Sequence, residues 1–124
     1  MDATKTILFV YGTLKRGERN HHLIADQLFI GEAVTAARYR VFDLGPHPGL
    51  IREANGLAVV GELFAVNDRC LAALDDFEGV PELFVRELIE VEGHEEVWAY
   101  FWNRPVPEGA KSGEKWLLPG KPGA

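Results

Sequence analysis

A series of apolar runs of strand length, with few helical patterns among them, most constrains what this chain can fold into. Along the chain a strand is followed by a short helix, several strands, a longer helix and a β-hairpin. This order lacks the regular strand–helix alternation of a doubly wound sheet. We therefore expect an α+β fold in which a mixed sheet, strongly bent or closed into a small β-barrel, packs against one or two peripheral helices.

The element boundaries follow from periodicity and from turn residues. Asn20 and either Asn67 or Asp68 are suited to begin helices, and Gly79 with Pro81 is a stop signal. Strands are predicted at residues 7–11, 28–44, 57–66, 83–93 and 95–103, and helices at 20–27 and from 68 to about 78. Residues 1–124 are expected to form a single domain with an irregular tail from about residue 104, in which Trp116, Leu117 and Leu118 pin part of the tail back.

Composition narrows the functional class. A chain of 124 residues with 47% hydrophobic and 26% charged residues is sized for one soluble domain. Its net charge of -6 argues against nucleic-acid binding, and no apolar stretch approaches the ~20 residues of a membrane helix. The single Cys70 forms no internal disulfide and fits a reducing compartment. We expect a cytoplasmic protein that binds neither nucleic acid nor membrane.

The first strand runs directly into a glycine-containing turn, Gly12-Thr13, followed by the basic residues Lys15, Arg16 and Arg19. Gly12 allows such a turn to expose consecutive backbone N–H groups, which suits a carboxylate or a developing oxyanion. The alternative is an ordinary β-turn with solvated basic residues. The turn is not a nucleotide-binding P-loop, because the Gly-Lys-Ser/Thr ending is missing.

Glu78 is unusual for its helical position. It follows Leu71 by seven residues and Leu74 by four, so a continuous helix directs its carboxyl to the apolar face. Partial burial and the carbonyl end of the helix both raise the pKa of a glutamate, which favours proton exchange near neutral pH. The alternative is a helix that ends at residue 77 and leaves Glu78 in water.

Other reactive side chains carry weaker signals. His22 and Asp26 have helical spacing for a shared metal, but no further ligand lies close in sequence, so no metal site is predicted. Neither Thr13 nor Cys70 has a neighbouring base that would make it a nucleophile. His47 and His94 fall in predicted loops and are given no role.

Five stretches occur in order along the chain: YGTL at 11–14 after an apolar strand, PGLI at 48–51, GELFAV at 61–66, LDDFEGVPELFVR at 74–86 and VWAYFW at 97–102. Together they resemble the gamma-glutamylcyclotransferase-like family, especially its gamma-glutamylamine cyclotransferase branch and small bacterial relatives. The resemblance covers residues 7–102 and excludes the tail. YGTL alone is weakly specific, whereas its pairing with D-D-F-E-G-x-P is more so.

The resemblance implies a mixed β-barrel with a pocket between the YGTL turn and Glu78. In that pocket Tyr11, Gly12, Thr13 and Leu14 bind substrate, Glu78 is catalytic, and no metal or cofactor is needed. Phe84, Arg86 and Tyr100 are further candidates for the pocket. Relatives commonly carry tyrosine where this chain has Phe84. The missing hydroxyl bears on which substrate is accepted more than on the type of reaction.

The leading hypothesis is release of 5-oxoproline and an amine from a gamma-glutamyl amide, with Glu78 as general acid/base. One alternative is a non-catalytic module that binds small carboxylates or a protein. Another is a glutamate-dependent hydrolase acting on a different amide. The expected partner is a small gamma-glutamyl molecule, and the expected assembly is a monomer or weak dimer.

Overall fold

A computed structural model describes residues 5–114 of the chain. The elements within this range are seven strands, one α-helix and a single 3-10 turn at His21–Leu23. They are β1 (Lys5–Val10), β2 (Leu28–Asp43), β3 (Pro48–Arg52), β4 (Leu57–Asn67), α1 (Asp68–Phe77), β5 (Phe84–Val91), β6 (His94–Trp102) and β7 (Ser112–Gly113).

Five strands close into a barrel in the order β2-β4-β1-β6-β5. The ring is completed where Thr35 of β2 pairs with Val91 of β5. Contacts between β1 and β6 are parallel, whereas the other pairings around the ring are antiparallel. The prediction of a small mixed β-barrel with peripheral helical structure is therefore confirmed.

Strand β1 is buried on both faces, which explains its uninterrupted apolar sequence. Phe9 packs inside the barrel with Tyr39, Val59 and Leu63. Leu8 and Val10 point the other way, into a second apolar cluster that includes the inner face of α1. The end of β1 is thus fixed from two sides, which gives the turn after it a rigid base.

Helix α1 begins where predicted. The Asn67 side chain accepts a 2.8 Å hydrogen bond from the backbone N–H of Cys70, so Asn67 is the N-cap. Leu71 and Leu74 are the buried apolar residues of this helix, and burying each contributes about 1.5–3 kcal/mol. Among residues 5–114, no helix is long and apolar enough to cross a membrane.

The predicted helix at residues 20–27 is wrong. Only the three-residue turn at His21–Leu23 forms, and the Asn20 side chain does not cap it. The Asn20 amide group instead donates to the Thr13 hydroxyl at 2.9 Å, so tertiary contacts to the turn after β1 override the local helical preference. Ile24 is nevertheless fully buried.

The predicted tail is not irregular throughout. Ser112 pairs with Phe42 and Gly113 with Val41, which makes β7 a short addition to the edge of β2. The chain then passes β4, where the Val60 N–H donates to the carbonyl of Glu114 at 2.9 Å. The expected anchor at Trp116, Leu117 and Leu118 lies outside the described residues.

Candidate active site

A cleft of about 360 Å³, including its open mouth, lies where β1 ends. Glu78 and the turn that follows β1 line the same cleft. The lining residues are Phe9, Val10, Tyr11, Gly12, Thr13, Leu14, His47, Pro48, Glu78, Phe84 and Tyr100.

The turn at residues 12–14 has its carbonyl groups engaged. The Gly12 carbonyl accepts from the Lys15 N–H at 3.1 Å, and the Thr13 carbonyl accepts from the Asn20 N–H at 2.9 Å. His21 Nδ1 lies 3.0 Å from the Leu14 carbonyl oxygen. The N–H groups of Gly12, Thr13 and Leu14 have no hydrogen-bond acceptor within residues 5–114. Buried amides left in this state are available to an anionic ligand.

Gly12 is required by a close approach in the cleft wall. A Cβ atom at this position would lie 2.4 Å from Cγ of Pro48, far inside normal contact distance. The glycine therefore lets Pro48 of β3 pack closely against the turn.

The turn is also anchored by a buried acid that no local sequence pattern singles out. Glu62 of β4 accepts from the Arg16 backbone N–H at 2.9 Å and from Arg16 Nε at 3.2 Å. Glu32 lies 3.8 Å from the same guanidinium, but its side chain is 77% exposed against 11% for Glu62. Glu62 is separated from Arg16 by 46 residues, so short-range spacing gives no sign of this contact.

Glu62→Gln is expected to lower the free energy of unfolding by about 1–3 kcal/mol, because it removes a charge-assisted contact to a buried acceptor. Urea denaturation measures this change. Glu32→Gln also removes a negative charge beside Arg16, but it should lower the free energy of unfolding by less than about 1 kcal/mol. Equal losses in the two variants would contradict the assigned role of Glu62.

Glu78 lies directly after α1 and keeps helical backbone geometry. Its N–H donates to the Leu74 carbonyl at 2.8 Å, which holds the residue in place although the helix ends at Phe77. The side chain is partly buried in the cleft and has no hydrogen-bond or ion-pair partner in the described part of the chain. Burial raises the pKa of Glu78 to about 7. The alternative is therefore right about the end of the helix at residue 77, but the Glu78 side chain lies in the cleft and is partly buried.

Two tyrosines line the cleft beside Glu78. The Tyr11 hydroxyl donates to the Tyr100 carbonyl at 2.7 Å and accepts from the Leu50 N–H at 3.2 Å. The Tyr100 hydroxyl donates to Asp75 at 2.7 Å. Burial raises the pKa of both phenols. The Glu78 carboxylate raises the pKa of Tyr11 further, and the hydrogen-bonded Asp75 carboxylate does the same for Tyr100. Both hydroxyls are neutral at physiological pH, and their protons are directed away from Glu78.

Arg86 is not among the residues that line the cleft, contrary to its prediction as a pocket residue. Its Nε and a terminal nitrogen instead donate to the two oxygens of Asp75 at 2.8 and 2.9 Å. The Arg86 guanidinium holds the pKa of Asp75 below its usual range. Helical spacing places Asp75 at the flank of α1 but gives no sign of its link to Tyr100.

His47 and Phe84 contribute aromatic rings to the lining of the cleft. The His47 ring lies 5.7 Å from that of Phe84 and 5.6 Å from that of Trp102. His47 Nδ1 lies 3.0 Å from the Pro48 carbonyl oxygen, which fixes the ring orientation. The sequence indicates only a loop position without a role for His47, whereas the structure places it in the cleft.

The basic residues after the turn do not line the cleft in the described structure. Arg16 contacts Glu62, and Arg19 donates to the Pro46 carbonyl. The main-chain amides of residues 12–14 are therefore the hydrogen-bond donors on this side of the cleft.

His22, Asp26 and Cys70 do not line the cleft in the described part of the chain. His22 and Asp26 are exposed, and no group of three or more His, Cys, Asp or Glu residues within residues 5–114 is arranged to hold a metal ion. Cys70 lies outside the cleft, and burial raises the pKa of its thiol, which disfavours a reactive thiolate.

These features define a small β-barrel protein whose cleft sets one acidic side chain against a row of main-chain donors. The profile of the family described as gamma-glutamyl cyclotransferase, AIG2-like matches residues 8–118. The chain belongs to this family.

Individual relatives agree with the family assignment. The human gamma-glutamylaminecyclotransferase is 40% identical over 95 residues, which span 69% of this chain and 61% of the human protein. The gamma-glutamylcyclotransferase family protein YtfP of Escherichia coli is 32% identical over 99 residues, or 80% of this chain and 84% of that protein. The crystal structure of an AIG2-like protein from Mus musculus superimposes with a TM-score of 0.82 at 29% identity, covering 90% of this chain and 88% of that one.

Proposed function

We propose that this protein releases 5-oxoproline and a free amine from a gamma-glutamyl amide by intramolecular aminolysis. The observation that carries the proposal is the position of Glu78, a partly buried carboxyl that lines the same cleft as the amides of residues 12–14. Membership of the cyclotransferase family supports the reaction class. No cofactor is needed for this chemistry, because the nucleophile and the electrophile belong to one molecule.

Glu78 is the general acid/base of the proposed reaction. Ionised Glu78 takes a proton from the α-ammonium group of the substrate, and the freed amine attacks its own γ-carbonyl carbon. A new carbon–nitrogen bond closes the five-membered lactam. The protonated Glu78 then returns the proton to the departing nitrogen as the original amide bond breaks. The ionised Glu78 next takes the second proton of the attacking nitrogen and passes it to the released amine, which leaves as an ammonium ion, so no water is consumed.

The amides of Gly12, Thr13 and Leu14 serve as donors in this scheme. They face either the substrate carboxylate or the oxygen that becomes negative as the γ-carbonyl is attacked. Their rigid anchoring matters because catalysis requires donors that are already in position. A cleft that holds the substrate in a folded-back conformation supplies much of the acceleration, since it brings amine and carbonyl together.

Mass spectrometry on a library of gamma-glutamyl amides tests the proposal. The purified protein should yield 5-oxoproline and the matching amine from at least one member, and that member identifies the leaving group accepted beside Phe84. Free glutamate in place of 5-oxoproline would indicate a hydrolase. Calorimetric binding of 5-oxoproline without turnover of any member would indicate a binding module.

The proposed base also predicts a pH dependence. Because burial raises the pKa of Glu78 to about 7, the ionised form needed to accept a proton is lost below that pH. We expect kcat/KM to fall about tenfold per pH unit on the acid side of about pH 7. Initial rates between pH 5 and 8 measure this limb, and a flat profile would exclude Glu78 as the base.

A further inference from the structure

Asp75, Arg86 and Tyr100 form a connected group just behind the cleft. They come from α1, β5 and β6 respectively. Two parallel hydrogen bonds of 2.8 and 2.9 Å join Arg86 to Asp75, and the Tyr100 hydroxyl donates to Asp75 Oδ1 at 2.7 Å. Only Tyr100 of the three reaches the cleft, so the pair can influence the site through that hydroxyl.

The titratable groups that share the cleft with Glu78 are Tyr11, Tyr100 and His47. Asp75 lies three residues earlier on the same helix, with Arg86 beyond it. The Tyr11 hydroxyl donates a hydrogen bond to the Tyr100 carbonyl, and the Tyr100 hydroxyl donates one to Asp75. Neither phenol hydroxyl therefore donates a hydrogen bond to Glu78.

We propose that Asp75, oriented by Arg86, is a positioning residue. It accepts the hydrogen bond of the Tyr100 hydroxyl and so prevents this hydroxyl from donating to the Glu78 carboxyl. A phenol that turned toward Glu78 would stabilise its ionised form and lower its pKa. Such a carboxylate would be a weaker base and, once protonated, would lose its proton more readily. The Arg86 pair keeps Asp75 ionised and fixes the direction of its oxygens.

The consequence for turnover rests on the proposed function, but the positioning effect itself does not. It is measured on the free protein by ¹³C NMR titration of the glutamate side-chain carboxyls, with the Glu78 signal assigned by its loss in Glu78→Gln. Asp75→Ala should release the Tyr100 hydroxyl and lower the titration midpoint of Glu78 by about one pH unit or more. In Asp75→Ala combined with Tyr100→Phe, the midpoint should return toward the original value.

Asp75→Asn separates charge from hydrogen bonding, because the asparagine oxygen still accepts from Tyr100. Its Glu78 midpoint should remain near that of the unmodified protein. A shift as large as that of Asp75→Ala would mean that the charge of Asp75 acts directly, and the proposal would be overturned. It would also be overturned if Tyr100→Phe did not reverse the Asp75→Ala shift.

Tyr100→Phe alone keeps the proposal testable if Asp75→Ala fails to fold, which circular dichroism would reveal. This variant retains the Asp75–Arg86 pair and should leave the Glu78 midpoint unchanged. A rise in the midpoint would show that the hydroxyl already donates to Glu78 and would overturn the proposal. Absence of turnover with all gamma-glutamyl amides would instead refute the proposed function while leaving the titration result intact.

Discussion

Glu78→Gln is expected to lower turnover of a gamma-glutamyl amide by at least about 10²-fold. A glutamine of the same shape fills the same space but neither accepts the ammonium proton nor returns one to the leaving amine. The donors of the turn at residues 12–14 stay in place, since their anchors Asn20, His21 and Glu62 do not contact position 78. The defect should therefore appear in kcat, with KM changed little.

Asp76→Asn is the matched control. It makes the same kind of change on the same last turn of α1, but Asp76 is exposed and does not line the cleft. Its kcat should stay within about twofold of the unmodified protein. Near-normal turnover in Glu78→Gln, with product release followed by mass spectrometry, would remove Glu78 from the mechanism.

Features encoded by local patterns are predictable from the sequence. The apolar run of β1, the following glycine and the helical spacing of Leu71, Leu74 and Glu78 each reflect a short-range rule, and the structure brings the turn and Glu78 to one cleft. The order of strands and the scarcity of helices predict a mixed sheet that is bent or closed, and the family resemblance implies its closure into a barrel. These rules work because they depend only on backbone geometry and on the side of an element that a residue occupies.

The parts that the sequence does not predict depend on long-range contacts. Asp75 meets Tyr100 across 25 residues, and Arg16 meets Glu62 across 46. His47 reaches the cleft only because the loop before β3 folds against Phe84. The predicted helix at 20–27 is wrong for the same reason, since the Asn20 side chain bonds to Thr13. A single sequence carries no local signal for such partners.

The cleft that raises the pKa of Glu78 should also make the protein less stable as pH rises. Glu78 has a pKa of about 7 when folded, against an ordinary value of 4.5. Below about pH 4.5 the carboxyl is protonated in the folded and the unfolded protein, so its burial does not lower the free energy of unfolding through ionisation. Between these two values the unfolded chain loses the proton while the folded protein keeps it, so unfolding becomes easier. Above about pH 7 the cost is constant, at about 3 kcal/mol.

Glu78→Gln should remove this cost, because glutamine mimics the protonated side chain at every pH. We expect the free energies of unfolding of variant and unmodified protein to agree near pH 4 and to differ by about 3 kcal/mol at pH 8, with the variant more stable. Comparing the two proteins at each pH cancels the titration of groups such as Asp75 that both retain. Urea denaturation from pH 4 to 8 measures the difference, and Asp76→Asn should show no comparable trend. A difference that stays flat across this range would mean that the folded protein leaves Glu78 in water, and both the proposed base and its buried setting would fail together.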